Sequence, residues 1–209
     1  MWVKICGITS LEDAEMAIEA GADALGLNFF PKSPRCLSAE QAKGIIRAVS
    51  EPVEWVGVFV NESPLKIQEQ VKELPLDWIQ LHGDEDRSAI ESLQGIRCIK
   101  AIRVQTPSDL EQIREISVEA YLLESHSPKY GGTGQEWNWE WGRKWAQEYR
   151  VILSGGLKPE NVSDAIKKVQ PYGVDVCSGV EVSSGRKDRE KVFQFVKKAK
   201  KYETISMAG

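Results

Sequence analysis

Short apolar runs alternate with longer amphipathic stretches along the chain. The runs have the length and the Val, Ile and Leu content of buried β-strands, whereas the stretches between them space their apolar residues as helices packed on one side do. The runs predict eight strands, at residues 2–6, 24–29, 54–60, 77–82, 97–104, 120–125, 150–154 and 173–177. The chain therefore repeats a strand-then-helix unit.

Signals for helix starts precede several of the amphipathic stretches. Ser10 comes directly before "LEDAEMAIEA", and Ser38 with Gln41 has the spacing of a capping box. Pro64 and Pro107 each follow a Ser or Thr and stand at the first helical position, where the missing N–H of proline is not needed. These stretches are therefore predicted helices.

Eight strand–helix units predict an α/β fold, a single-domain (βα)8 TIM barrel that takes in residues 1–209. An open doubly wound sheet fits the same pattern and is the alternative. In a barrel, side chains alternate between the lumen and the helix layer, and active sites lie at the carboxyl ends of the strands. Polar residues that end apolar strands are therefore the candidates for chemistry: Cys6, His82, Glu124, Ser154 and Cys177.

Composition narrows the classes of partner. The formal charge of −4 is spread over interleaved acidic and basic residues, so no basic surface for nucleic acid or an anionic membrane is expected. No segment reaches the roughly 18 apolar residues of a membrane span, and Met1 leads into "WVKICG" rather than into a secretory leader. The four cysteines are far apart, which predicts reduced thiols and no structural zinc. We expect a cytoplasmic protein.

Cys6 is the cysteine whose position suggests reactivity. It stands between a strand and the Gly7 turn, and the helix that begins near Ser10 would favour a thiolate there. Packing as a small apolar residue is the alternative. Lys4 lies one lumen layer below Cys6, and its candidate partner is Asp175, which faces the lumen from the last strand.

Two glycine-containing turns follow the last two strands, "LSGGL" at 153–157 and "CSGVE" at 177–181. In many barrels these loops hold a phosphate group with backbone N–H groups. Gly155, Gly156 and Gly179 either serve this purpose or simply permit tight turns. A small phosphorylated molecule is therefore the predicted ligand.

Three more candidates lie at the ends of predicted strands two, four and six or in the loops after them. Arg35, in the loop "FFPKSPRCLS", can clamp a carboxylate or a phosphate, unless it is only an exposed loop residue. His82 ends the fourth strand and is expected to be a hydrogen-bonding residue of the pocket wall. Glu124 ends the sixth strand, across the barrel mouth from Cys6, and a carboxylate facing a thiol suits a reaction that needs one general acid and one general base.

The segment after the sixth strand contains "KYGGTG", which predicts a loop that closes over a ligand. His126, at its beginning, is expected to be exposed. Trp137, Trp141 and Trp145 recur at intervals of four residues, which predicts the buried face of a helix.

Taken in order, "KICGIT", "GLNFFPKSPR", "QLHGDE", "YGGTG", "SGGL" and "DVCSGVE" closely resemble the phosphoribosylanthranilate isomerase family of tryptophan biosynthesis. The resemblance runs from residue 3 to about residue 181. It implies a TIM barrel that catalyses an Amadori rearrangement of N-(5-phosphoribosyl)anthranilate to 1-(2-carboxyphenylamino)-1-deoxyribulose 5-phosphate. It also implies that no metal or organic cofactor is needed, and we expect a monomer or a homodimer.

The same resemblance implies roles for individual residues. Cys6 matches the general base of the family, Arg35 the residue that holds the anthranilate carboxylate, and His82 a residue lining the substrate site. The remaining residues expected to bind substrate are those of the phosphate turns together with Asp175: Gly155, Gly156, Asp175, Ser178 and Gly179.

Glu124 departs from the family pattern, which usually has aspartate there as the general acid. Glutamate keeps the acid chemistry, but its extra methylene moves the carboxyl group by about 1.5 Å, and such a shift can cost on the order of 10²-fold in rate. A non-catalytic or impaired phosphosugar-binding barrel is therefore the alternative. The similar isomerase of histidine biosynthesis is disfavoured, because that family resembles two phosphate-binding half barrels and has aspartate where this chain has Cys6.

Overall fold

The computed structural model describes residues 1–125 and 137–206, with side chains as far as residue 201. Eight parallel strands close into a barrel in chain order, and β1 pairs with β8. The strands are β1 (Trp2–Cys6), β2 (Ala24–Asn28), β3 (Glu54–Phe59), β4 (Trp78–Leu81), β5 (Cys98–Val104), β6 (Ala120–Ser125), β7 (Val151–Leu153) and β8 (Gly173–Val176). The predicted barrel is confirmed, and closure excludes the open doubly wound sheet.

Helices cover the outside of the barrel. The α-helices are α1 (Leu11–Glu19), α2 (Ala39–Ala48), α3 (Pro64–Glu73), α4 (Arg87–Glu91), α5 (Arg143–Glu148), α6 (Val162–Val169) and α7 (Arg189–Ser206). Three 3-10 helices lie at Pro107–Arg114, Trp139–Gly142 and Ser178–Val180. None of the helices in these described ranges is long and apolar enough to cross a membrane.

The predicted start signals cap their helices. The Ser10 hydroxyl accepts a hydrogen bond from the Asp13 backbone N–H, at the start of α1. At the start of α2, Ser38 and Gln41 form both hydrogen bonds of the capping box. These bonds satisfy N–H groups that have no partner inside the helix.

Alternate strand residues fill the amino-terminal half of the lumen with apolar side chains. This core cluster consists of Trp2, Ala24, Val56, Trp78, Ile99, Ala101, Ala120, Leu122 and Ile152. Because the cluster closes the lumen from below, polar residues two positions further along the same strands lie in the upper half, facing the carboxyl-terminal mouth.

The tryptophan prediction is wrong for Trp137, which precedes the 3-10 helix Trp139–Gly142, and for Trp141, which is only half-buried in that helix. The Trp137 indole N–H donates to the Ser154 carbonyl oxygen at 3.1 Å, at the mouth of the barrel. Trp145, in α5, is buried as expected, and so is Trp139, which the spacing did not select. The predicted closing loop "KYGGTG" and His126 lie outside the described residues.

A short hairpin after β8 was not predicted. Its two antiparallel strands are β9 (Glu181–Ser183) and β10 (Arg186–Lys187). The hairpin turns back toward the amino-terminal part of the chain, because the Lys187 backbone N–H contacts the Asp13 carboxylate in α1 and the Gly185 carbonyl accepts from Thr9. It thereby brings Glu181 and Lys187 to the mouth of the barrel.

Candidate active site

A pocket of about 290 Å³ opens at the carboxyl ends of the strands. The structure brings every candidate site residue to its wall: Cys6, Arg35, His82, Glu124, Gly155, Gly156, Asp175, Ser178 and Gly179. The residues on strands face the pocket through lumen parity, and the residues that follow strands reach it because all the parallel strands end at this mouth.

Cys6 ends β1 beside Gly26 of β2, and its exposed fraction is 8%. A Cβ atom at position 26 would lie 2.7 Å from the Cys6 Sγ atom, so only glycine leaves room for the thiol. Lys187 holds the backbone here, since its Nζ atom donates to the Cys6 carbonyl oxygen at 2.6 Å. Sequence reasoning missed Gly26, although it lies on the lumen face of "ALGLN".

The environment of Cys6 favours its thiolate. Hydrogen bonding with the Cys177 thiol lowers the pKa of Cys6 to about 6, and the ammonium groups of Lys4 and Lys187 act in the same direction, against burial and the Asp175 carboxylate. The same hydrogen bond, together with burial, raises the pKa of Cys177 well above its usual value. At neutral pH, therefore, Cys6 carries the charge and Cys177 remains a thiol.

Below Cys6, a chain of polar side chains crosses the lumen. The predicted pair is present, with Lys4 Nζ 2.7 Å from Asp175 Oδ1. Burial lowers the pKa of Lys4, but the Asp175 carboxylate and Cys6 outweigh it and raise that pKa overall. Lys4 Nζ also donates to Gln80 Oε1 at 2.7 Å, and Gln80 Nε2 lies 2.7 Å from His82 Nδ1. An ammonium group can only donate, so Lys4 binds the oxygen of the Gln80 amide, and the amide nitrogen faces His82.

His82 is hydrogen-bonded in the pocket wall, as predicted, and it holds the carboxyl group of Glu124. Since the Gln80 amide donates to Nδ1, the neutral imidazole carries its proton on Nε2, which lies 2.6 Å from Glu124 Oε1. Burial of His82 opposes its charged form, but the Glu124 carboxylate prevails and raises the pKa of the imidazole. Both side chains are largely buried, so the contact is shielded from solvent.

Arg35 is buried at the mouth, so the alternative of an exposed loop residue is wrong. Its Nε and Nη2 atoms donate to the two carboxylate oxygens of Glu181 at 2.8 and 2.5 Å, and Lys187 Nζ lies 2.9 Å from Glu181 Oε1. Burial raises the pKa of Glu181, but Arg35 and Lys187 outweigh it and lower that pKa overall. This bidentate pair orients the guanidinium group toward the pocket. Sequence reasoning missed Glu181 and Lys187, because a hairpin strand of two or three residues has no clear periodic signal.

The two glycine-containing turns pack against each other on one side of the pocket. Gly155 and Gly156 have φ values of +81° and +71°, which residues with a side chain rarely adopt. Gly179 lies against the Leu157 carbonyl oxygen, and a side chain there would overlap it. The Asn161 side chain donates to the Gly156 carbonyl at 2.9 Å and holds the first turn. Glycine is therefore required both for the conformation and for the close approach of the turns.

No group of three His, Cys, Asp or Glu side chains within residues 1–125 and 137–201 is arranged to hold a metal ion. The site consists of a thiol, a histidine-bound carboxyl group, a buried guanidinium and two glycine turns around one pocket. A proton acceptor on one side and a proton donor on the other can move protons on a ligand held between them.

Comparison with known proteins gives a consistent result. The family model of N-(5'phosphoribosyl)anthranilate (PRA) isomerase matches residues 3–198. An N-(5'-phosphoribosyl)anthranilate isomerase from Geobacter sp. (strain M21) is 50% identical over 200 residues, which cover 95% of this chain and 98% of the relative.

Among solved structures, phosphoribosyl anthranilate isomerase from Thermotoga maritima is similar, with a TM-score of 0.89 and 43% identity over 96% of this chain and 99% of that one. A second structure, of a phosphoribosyl anthranilate isomerase in complex with reduced 1-(o-carboxyphenylamino)-1-deoxyribulose 5-phosphate, has a TM-score of 0.86 and 40% identity, again over 96% and 99% of the two chains.

Proposed function

The chain belongs to the N-(5'-phosphoribosyl)anthranilate isomerase family and has that activity, and we propose that Cys6 is its general base and Glu124 its general acid. The activity is the Amadori rearrangement of N-(5-phosphoribosyl)anthranilate in tryptophan biosynthesis. The family match and the named relatives favour this enzyme over a non-catalytic barrel. The observation that carries the two roles is the shared pocket, with Cys6 on β1 and Glu124 on β6 at its opposite sides.

Ring opening is the first step of the proposed mechanism. Glu124 transfers a proton to the ring oxygen of the ribose while the bond from that oxygen to C1 breaks, and the amine nitrogen forms a Schiff base with C1. His82 keeps Glu124 Oε1 in place at 2.6 Å, which leaves the second carboxyl oxygen for the substrate. The raised pKa of His82, caused by Glu124 against burial, favours retention of a proton within this pair.

Removal of a proton from C2 is the second step. The Cys6 thiolate takes this proton, the C1–C2 double bond of an enolamine forms, and the electrons of the carbon–nitrogen double bond return to nitrogen. The enolamine then tautomerises to the ketone. Lys4 and Lys187 support the negative charge of the thiolate before the transfer.

Binding of the two ends of the substrate completes the proposal. Arg35 holds the anthranilate carboxylate, since Glu181 uses only part of its donors and both residues stay buried. Gly155, Gly156, Ser178 and Gly179 hold the phosphate group. Asp175 contributes through Lys4, which it neutralises beneath the pocket floor.

We also propose a cytoplasmic location and a monomeric or homodimeric state, with a small phosphorylated substrate as the ligand. Cys6, Cys36, Cys98 and Cys177 are all free thiols, which is typical of proteins in a reducing compartment. Sedimentation of the purified chain tests the oligomeric state.

The pH dependence of kcat/KM tests the base. We expect an acid limb at about pH 6, because Cys6 must lose its proton to act and hydrogen bonding with Cys177 lowers its pKa to about 6. Activity falls again above the usual histidine pKa, as His82 loses the proton that the Glu124 carboxylate helps it to hold. Cys177→Ala removes the hydrogen bond and moves the acid limb to higher pH, whereas Cys36→Ser leaves it in place. An acid limb of the parent chain at the usual thiol pKa contradicts the assignment.

Replacement of Arg35 by alanine tests the carboxylate contact. We expect KM to rise by about tenfold to 10²-fold with a small change in kcat, as for a charged hydrogen bond of about 1.5–3 kcal/mol. The measurement compares inhibition by a product analogue with inhibition by the same analogue without its carboxylate. Inhibition by the analogue that has the carboxylate should weaken, whereas inhibition by the analogue without it should not change. Arg35→Lys keeps the charge beside Glu181 but not the planar fork, so it should recover little affinity. Equal weakening of both analogues places the contact elsewhere.

A further inference from the structure

Two of the four thiols lie side by side in the pocket. In the pairing of β1 with β8, Lys4 is opposite Asp175 and Ile5 is opposite Val176, so the next positions are Cys6 and Cys177. Both cysteines line the pocket, and the Cys177 thiol lowers the pKa of Cys6. The proposed reaction uses Cys6 as base and assigns no covalent chemistry to Cys177.

The strand pairing suits a covalent bond between these two residues. Neighbouring strands lie about 4.8 Å apart, and a disulfide needs Cα atoms about 4.4–6.8 Å apart. Cys177 follows the last residue of β8 and has φ −124° and ψ −85°, so it lies outside the regular strand and its Sγ atom is less constrained. The Sγ atom lies beside the turn that follows β1, since a Cβ atom on Gly7 would lie 2.9 Å from it.

We propose that Cys6 and Cys177 form a reversible disulfide when the chain meets a hydroperoxide, and that this modification switches the isomerase off. The inactivation rests on the proposed role of Cys6 as base, whereas the disulfide itself does not. The residues that make the pair are the nucleophilic thiolate of Cys6 and the neighbouring thiol of Cys177, both open to the pocket.

The chemistry takes two steps. The Cys6 thiolate attacks one peroxide oxygen, the O–O bond breaks, and the leaving hydroxide takes a proton to become water, so Cys6 becomes a sulfenic acid. The Cys177 sulfur then attacks the Cys6 sulfur, the S–O bond breaks, and the departing hydroxide takes the Cys177 proton to form a second water molecule. Two thiols are oxidised by two electrons, the peroxide is reduced, and a dithiol reductant reverses the result.

The surroundings distinguish this pair from the other two cysteines. Lys187 Nζ lies 3.9 Å from the Cys177 Sγ atom and can support its thiolate during the second step. Burial raises the pKa of Cys98 to about 12, and burial also raises the pKa of Cys36. Both remain thiols at neutral pH and react slowly with peroxide, so oxidation is confined to the pocket.

Treatment of the reduced, purified chain with hydrogen peroxide tests the proposal. Activity should fall on the order of 10³-fold, as expected when Cys6 no longer acts as a base, and dithiothreitol should restore it. Peptide mapping after alkylation should give a Cys6–Cys177 linked peptide, whereas Cys36 and Cys98 should carry the alkyl label of free thiols. Cys36→Ser should behave like the parent chain. The activity of Cys177→Ser is compared with the rate of the same variant before treatment. Prolonged peroxide should lower this activity, dithiothreitol should not restore it, and Cys6 should be found as sulfinic acid.

Two results overturn the proposal. If the parent chain gives no linked peptide and loses activity irreversibly, Cys177 does not resolve the oxidised Cys6. If the linked peptide forms but turnover persists, the disulfide stands while inactivation and the base role of Cys6 both fail. The mass of the linked peptide therefore tests the disulfide, and the turnover rate tests the inactivation.

Discussion

Replacing Cys6 by serine lowers kcat by on the order of 10³-fold while KM changes little. A serine hydroxyl keeps the size and the hydrogen bonds of the thiol, but it does not ionise at neutral pH and is a far weaker base. Steady-state turnover of N-(5-phosphoribosyl)anthranilate, generated in place, measures the loss, and calorimetric binding of a reduced product analogue measures the affinity. Loss of an interaction that is made only in the transition state lowers kcat and leaves the affinity for the analogue unchanged.

A matched set of cysteine variants controls for general damage. Cys36→Ser changes a thiol that does not line the pocket and should retain the parent kcat. Cys6→Ala adds a cavity but no new polar group, so it should lose as much activity as Cys6→Ser if basicity is the cause. Unchanged kcat in Cys6→Ser refutes the base assignment, because the serine has no thiolate to offer.

Replacing Glu124 by glutamine should lower kcat by on the order of 10²- to 10⁴-fold, the usual contribution of a general acid. The amide has nearly the same shape, but it has no proton to transfer to the ring oxygen. Rates are again measured with substrate generated in place. A glutamine variant with the parent kcat means that another group opens the ring.

The substitution Glu124→Asp tests how this chain uses the longer side chain. The carboxyl group retreats by about 1.5 Å and loses its 2.6 Å contact with His82 Nε2, so we expect a fall of up to about 10²-fold. Glu124→Asp and His82→Ala remove the same contact, so their effects in the double variant should be less than additive. A rise in kcat for Glu124→Asp contradicts this picture and indicates that glutamate impairs the parent enzyme.

The barrel and the faces of its strands were predictable from local pattern. Each strand is an apolar run between polar stretches, and all eight lie within one residue of their predicted bounds. Period two along a strand then assigns Lys4 and Cys6 to the lumen, and the pair of Lys4 with Asp175 follows from the same parity. The 3-10 helix at Trp139–Gly142 was not predicted, because its packing against the barrel overrides the four-residue spacing of the tryptophans.

The sequence by itself determined the fold, the residues at the strand ends and the family, because these depend on residue type and spacing along the chain. Only the tertiary structure decided which side chains meet. It joined Gln80 to Lys4 and Glu181 to Arg35. These partners come from distant elements, 146 residues apart for Arg35 and Glu181, and strand closure and hairpin placement bring them within hydrogen-bonding distance. The ionisation of Cys6 depends on such neighbours and on burial, and therefore only folding establishes it.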